Sequence, residues 1–284
     1  MIWTRIFRGG CKWAGFKMGL ALAAQHLGTG DRPGVMIHCT LTHGGVMKGL
    51  AAALPGHRWL APDLPSHGQS ADWPPGAPGL QRVSSEGVAA LMDGPADVVG
   101  HSFGATVALR LAVLRPDLVR SLVLIEPVYG AVARIDAPDV AAIHEVQALP
   151  MMQAILRGEM DLAAQLFTRD WGLGRPWDGL PEPARARMAA QMPFVASSSA
   201  EIYDDSAGLL LSGALTALKI PVLVLEGGDT AARHPVMRVI CKGLAARIPG
   251  ARHALIDGAG HMAPLTHPDA TAALIRDHLA VATA

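Results

Sequence analysis

One pentapeptide limits what this chain can fold into. Gly100-His101-Ser102-Phe103-Gly104 fits the pattern G-x-S-x-G. It follows a short apolar run at residues 97–99 and precedes a small-residue helical stretch over 103–114, which Pro116 stops. A strand that turns abruptly into a helix holds the serine at the turn in a strained backbone conformation, so the flanking side chains must be small. Gly100, Gly104 and Ala105 meet that demand. Such a turn exposes the serine hydroxyl at the carboxyl end of a strand, which makes Ser102 the candidate nucleophile.

The segments around this turn alternate between two periodicities. Residues 35–39 form a continuous apolar run of buried-strand length, closed by a polar loop over 40–45 and a helical stretch over 46–54. A second short strand over 58–62 leads into the loop Asp63-Leu-Pro-Ser-His-Gly-Gln-Ser70, and Pro74, Pro75, Gly76, Pro78 and Gly79 mark a long surface loop. A helix over 81–92 precedes the Ser102 strand, and residues 119–125 form another buried strand ending in Glu126-Pro127. Strands alternating with helices imply βαβ units and a mainly parallel sheet.

From about residue 129 to 215 no strand-like run recurs. Helices rich in Ala, Leu and Met fill this segment, cut by Pro150, Pro176, Pro181, Pro183 and Pro193. The alternation resumes with a strand over 221–225, a helix over 235–246, a strand over 252–256 and a closing helix from Pro268. The chain therefore divides into a core of residues 31–128 and 216–284, a helical cap over 129–215, and an extension over 1–30. Met151, Met152, Met160, Phe167, Trp171, Trp177, Met188, Met192 and Phe194 are candidates for an apolar pocket, about a third of them expected to touch substrate and the rest to pack the cap.

Composition removes several function classes. The formal net charge is +0 and charged residues make up only 17% of the 284, so nothing favours nucleic acid or an anionic membrane as partner. No apolar run reaches the roughly 18 residues of a membrane span. Cys11, Cys39 and Cys241 are too few and too scattered for a disulfide framework or a zinc site, and H-E-x-x-H is absent, so no metal is expected. Arg5, Arg8, Lys12 and Lys17 ahead of Met18-Gly-Leu-Ala-Leu-Ala-Ala24 give the outline of a weak secretory signal. Its apolar core is short and interrupted, so a poorly ordered extension or an early edge strand on a cytoplasmic protein is preferred.

The turn at Ser102, the 63–70 loop, the interrupting helices and Gly258-Ala-Gly-His-Met-Ala-Pro-Leu265 together resemble the α/β-hydrolase family over about residues 33–282. The resemblance implies a mainly parallel central sheet flanked by helices, with an inserted helical cap. In the family's chain order the general base follows the last strand, where His261 stands. His267 is its competitor, His253 lies inside a strand, and His101 flanks the turn.

Two residues compete for the acid that orients the base. The usual family position follows the strand ending at Leu225 in a G-x-x-D pattern. Here Gly227-Gly-Asp-Thr230 puts Asp229 one residue early. Glu126 ends the strand after the Ser102 helix, 24 residues past Ser102 (126 − 102), where haloalkane dehalogenases and related branches place their acid. Both stay open, Glu126 first. For the oxyanion hole, the resemblance nominates the backbone N–H groups of Phe103 and of Thr40, the latter from His38-Cys39-Thr40, where cysteine replaces the family's glycine.

The reading is a cofactor-independent serine hydrolase acting through an acyl-enzyme on a small, largely apolar ester, lactone or related acyl compound. The alternatives are cleavage of a carbon–carbon bond in a β-diketone, acyl transfer on the same triad, or a non-catalytic ligand-binding member of the fold. Serine at the nucleophile position argues against dehalogenase or epoxide hydrolase chemistry, where a carboxylate attacks. The expected partner is a small molecule, and a homodimer is compatible with the sequence.

Overall fold

Among the described residues, seven strands build the central sheet: β1 (Ala24–Leu27), β2 (Arg32–Ile37), β3 (His57–Pro62), β4 (Ala96–His101), β5 (Val119–Ile125), β6 (Val222–Gly227) and β7 (Arg252–Ile256). The computed structural model describes residues 20–74, 77 and 79–281. The basic stretch of the N-terminal extension, Pro75, Gly76 and Pro78 lie outside the described residues. The spatial order is β1-β3-β2-β4-β5-β6-β7. Among the described residues, only the edge strand β1 runs antiparallel, against β3.

Parallel strands joined by helical crossovers are covered on both faces, which is why their sequences read as unbroken apolar runs. Leu122 and Leu124 of β5 face one core with Val35, Val98 and Val222. Val123 and Ile125 face the other with Met36, Val99 and Leu223. After β2 the chain steps to one side for β3 and to the other for β4. The carboxyl ends of β2 and β4 therefore flank a switch point, where a crevice opens in sheets of this kind.

The helices in chain order are α1 (Lys48–Ala52), α2 (Leu80–Ala90), α3 (Phe103–Leu114), α4 (Ala131–Asp136), α5 (Pro138–Leu156), α6 (Met160–Trp171), α7 (Glu182–Tyr203), α8 (Gly228–Arg233), α9 (Pro235–Arg247), α10 (Ala263–Thr266) and α11 (Pro268–Val281). Helix α3 leaves the tip of β4 so closely that a Cβ on Gly104 would lie 2.4 Å from the His38 carbonyl oxygen. A Cβ on Gly100 would lie 2.4 Å from the Gly104 carbonyl oxygen. Neither obstacle is a side chain that could rotate away.

Helices α4 to α7 form the insertion between β5 and β6. It has an apolar centre of its own, with Met152, Ile155, Ala163, Ala164 and Met192 buried together. The Tyr129 hydroxyl, just after β5, donates to Asp205, just after α7, and ties the two ends of the insertion together.

Two sequence expectations need correction. Pro150 and Pro193 do not break helices but lie inside α5 and α7. An interior proline costs about 3 kcal/mol, an amount that burial of Met192, Phe194 and Ala196 alongside Pro193 can outweigh. The segment read as a long surface loop is partly internal: Trp73 and Ala77 are buried, and the Trp73 indole N–H donates to the Ala77 carbonyl at 3.2 Å.

Candidate active site

The register of the sheet assembles the site. His101 of β4 pairs with Ile125 of β5, so Ser102 and Glu126 are the next residues on adjacent strands. The Ser102 N–H donates to the Ile125 carbonyl at 2.9 Å, and the Glu126 N–H donates to the Leu225 carbonyl at 2.8 Å. Both residues have positive φ, 57° at Ser102 and 46° at Glu126. Non-glycine residues rarely hold this conformation, and here both do so where a strand breaks into the crevice.

A hydrogen-bonded chain runs through them. The Ser102 hydroxyl lies 3.0 Å from His261 Nε2, and His261 Nδ1 lies 2.6 Å from Glu126 Oε2. The other carboxylate oxygen, Oε1, accepts the Gly227 N–H at 2.6 Å. A carboxylate only accepts, so His261 carries its proton on Nδ1, which leaves the Nε2 lone pair facing the serine. Ser102, His261 and Glu126 are all buried.

His101 backs this chain from behind. Its Nε2–H donates to the His261 carbonyl at 2.7 Å, and burial pushes its pKa down to about 3, so it is neutral. Asp229 takes no part. Strand β6 extends through Gly227 and α8 begins at once, which turns Asp229 outward in the first helical turn. There it is exposed, and its backbone N–H donates to the Ala259 carbonyl at 3.0 Å. His267 caps the end of α10 and lies against Thr266 Oγ1, and His253 bonds the buried Glu226 at 2.8 Å.

Thr40 and Phe103 both line the cavity that Ser102 and His261 face. Among the described residues, neither the Thr40 nor the Phe103 backbone N–H finds an acceptor. The cavity together with its mouth, open to solvent, takes in about 770 Å³ of atom-free space. Of the aromatic and Met residues singled out in the insertion, Met151, Phe167 and Trp171 line it, whereas Met152, Met192 and Phe194 are buried in packing. Val236 and Ile240 of α9 add core-side walls. Polar groups reach the wall from Ser198, Ser199, Tyr203 and His144; His144 meets the Tyr203 hydroxyl at 3.2 Å, and burial pushes its pKa down to about 4, so it adds no charge. Trp171 closes one side, its ring edge-on to His261 at 4.9 Å and stacked on His234 at 4.4 Å.

Sequence reasoning overlooked the loop that braces Thr40. His38 and His67 are both fully buried and both engaged with backbone groups on this side of the crevice. The signal was available: two histidines followed by small or turn residues, His38 directly after β2 and His67 in the loop that follows β3. Among the described residues, no group of three or more His, Cys, Asp or Glu side chains could hold a metal ion. Nor is any helix among them long and apolar enough to cross a membrane.

A model of the alpha/beta hydrolase family matches residues 35–274. Among curated proteins, the chain is 33% identical over 221 residues to a pimeloyl-acyl-carrier-protein methyl ester esterase of Neisseria meningitidis serogroup B, covering 76% of this chain and 80% of the relative. It is 29% identical over 262 residues to the esterase of the same name in Methylococcus capsulatus, covering 87% of this chain and 94% of that one. Among solved structures, a hydrolase from Pseudomonas aeruginosa superposes with a TM-score of 0.68 at 25% identity, covering 96% of this chain and 99% of that one.

Proposed function

For a chain that belongs to the α/β-hydrolase family of enzymes, we propose a serine hydrolase that cleaves a carboxylic ester with a largely apolar acyl part through a covalent acyl-enzyme. The observation that carries this reading is the bonded sequence Ser102 Oγ to His261 Nε2, then His261 Nδ1 to Glu126 Oε2, at 3.0 and 2.6 Å.

A serine hydroxyl is a weak nucleophile at neutral pH and needs a base in hydrogen-bond reach. As Ser102 Oγ bonds to the ester carbonyl carbon, its proton passes to His261 Nε2, and the carbonyl oxygen becomes an oxyanion. The free N–H groups of Thr40 and Phe103 are the donors for that charge. Glu126 faces the imidazolium that results, and its second oxygen is occupied by Gly227, which fixes the carboxylate plane. When the tetrahedral species collapses, the ester C–O bond breaks and the leaving alkoxide takes the proton from Nε2. Water then repeats the sequence on the acyl-enzyme, releasing the acid and restoring Ser102.

The apolar walls from Met151, Phe167, Val236 and Ile240 suit an uncharged acyl chain. In this reading the helical insertion acts as a cap that closes over the acyl group. The two curated relatives are named for a methyl ester, which supports a small alcohol on the leaving side. Their named substrate is borne on an acyl carrier protein. Between residues 157 and 188 this chain has five arginines balanced by five acidic residues, so that stretch carries no excess positive charge for an acidic carrier.

The test is mass spectrometry after exposure to a fluorophosphonate, alongside hydrolysis of a p-nitrophenyl ester series. Expected are one adduct, on Ser102, and activity that Ser102→Ala abolishes. A chain inert to both reagents would remove the hydrolase reading and leave a ligand-binding member of the fold.

A further inference from the structure

The two unpartnered amides lie on different segments, yet their neighbours are held by one contiguous set of side chains. Leu41, next to Thr40, has a positive φ of 61°, and its N–H donates to His67 Nε2 at 3.0 Å. A backbone N–H cannot accept, so His67 Nε2 carries no proton, and its Nδ1–H donates to the Pro65 carbonyl at 2.8 Å. A second bond crosses the other way: the Leu64 N–H donates to His38 Nε2 at 2.9 Å. The 38–42 and 63–70 loops are thus locked to each other through two neutral, buried imidazoles.

Helix α7 of the insertion reaches into this lock. The Phe194 ring stands edge-on to His67 with centroids 4.6 Å apart, and edge-on to Phe103 with centroids 5.0 Å apart. One turn earlier, the Gln191 amide donates to the Ser66 carbonyl at 3.1 Å. Phe194 is buried and does not line the acyl cavity. Its contacts connect the imidazole that holds the residue after one free amide with the residue that owns the other.

We infer that His67 and Phe194 are positioning residues that set the Thr40 and Phe103 amides at the spacing an oxyanion needs, so that the seating of the insertion on the core completes the oxyanion hole. This inference rests on the ester-hydrolase reading above. Side chains that never touch substrate act here on the transition state alone, because the amides they hold bond strongly only once the carbonyl oxygen is charged.

The experiment compares wild type, His67→Leu, His67→Gln and Phe194→Leu in two assays. The first gives kcat and KM on p-nitrophenyl butyrate. The second gives Ki for an alkyl trifluoromethyl ketone, to whose carbonyl carbon Ser102 adds, and Ki for butyramide, whose carbonyl oxygen stays uncharged, as the control. His67→Leu and Phe194→Leu are expected to lower kcat by about 10- to 100-fold, less than the 10²–10³ seen when an oxyanion donor is removed outright. The ketone Ki should rise by a similar factor, while KM and the butyramide Ki change by no more than about twofold. His67→Gln, whose amide oxygen can accept from Leu41, should recover most of the loss. A KM increase at constant kcat, a ketone Ki that moves no more than the butyramide Ki, or no recovery in His67→Gln would each overturn the clamp and leave the hydrolase reading standing. Should His67→Leu not fold, Phe194→Leu and His67→Gln decide by the same criteria. A wild type that neither turns over the ester nor binds the ketone overturns the hydrolase reading itself, and the clamp with it.

Discussion

Replacing Glu126 by glutamine probes the site at its most constrained point. The carboxylate uses both oxygens as acceptors, one for His261 Nδ1–H and one for the Gly227 N–H, each at 2.6 Å, and the side chain is fully buried. A glutamine amide has one acceptor and one donor end, so it cannot satisfy both. With its oxygen toward Gly227, the NH₂ group faces Nδ1 and forces the imidazole proton onto Nε2, where it blocks proton removal from Ser102. With its oxygen toward His261, the NH₂ group abuts the Gly227 N–H and leaves a buried donor unpaired, a cost of about 1–3 kcal/mol. The incompetent tautomer is therefore favoured by about 10- to 100-fold. Losing the charge opposite the imidazolium removes a charge-assisted hydrogen bond of about 1.5–3 kcal/mol, another 10- to 100-fold. Glu126→Gln should thus lose about 10²- to 10⁴-fold in kcat on p-nitrophenyl butyrate, whereas Asp229→Asn should stay within about threefold. Retention of activity within tenfold by Glu126→Gln, or an equal loss in Asp229→Asn, would refute this account of the acid.

Two further outcomes concern stability. Asp97, buried near the start of β4, bonds Arg32, His57, Arg120 and Ser121. Although burial opposes ionisation, bonds from His57, Arg32 and Ser121 hold its carboxyl well below the usual carboxylate range. Asp97→Ala should cost about 3–5 kcal/mol at pH 7 by urea denaturation, because it strands the buried His57 and Ser121 and leaves the half-buried Arg32 and Arg120 without their shared carboxylate. A depressed pKa stabilises above the unfolded value and is lost as pH falls, so the gap between wild type and variant should narrow below about pH 4; a gap that stays constant from pH 7 to pH 3 counts against it. Gly104→Ala drives a Cβ to 2.4 Å from the His38 carbonyl oxygen and 2.5 Å from that of Ile37. It should lower stability by about 3 kcal/mol, read as a fall in Tm, and an unchanged Tm would show that α3 can move off β2 freely.

Much of the architecture is legible in the sequence because it depends on local pattern. Unbroken apolar runs such as residues 119–125 announce strands covered on both faces, and G-x-S-x-G between strand and helix announces the turn at Ser102. His261 is legible by its place after the last strand. The helix limits in the insertion were less so, since Pro150 and Pro193 are breakers by propensity and interior residues by packing.

What the sequence determined by itself is a strand–turn–helix that sets Ser102 at the carboxyl end of a strand and a chain order that brings a late histidine back to it. Which carboxylate faces that histidine was decided only in three dimensions. Glu126 lies 135 residues from His261, and the β4–β5 register sets it beside Ser102. Asp229, which lies much closer in sequence, is turned to solvent because α8 starts as soon as β6 ends. The bracing of Thr40 and Phe103 by His67 and Phe194 is of the same kind. Local sequence governs backbone conformation over a few residues, whereas a hydrogen bond or ring contact depends on distances of a few ångströms between segments that only the packed sheet brings together.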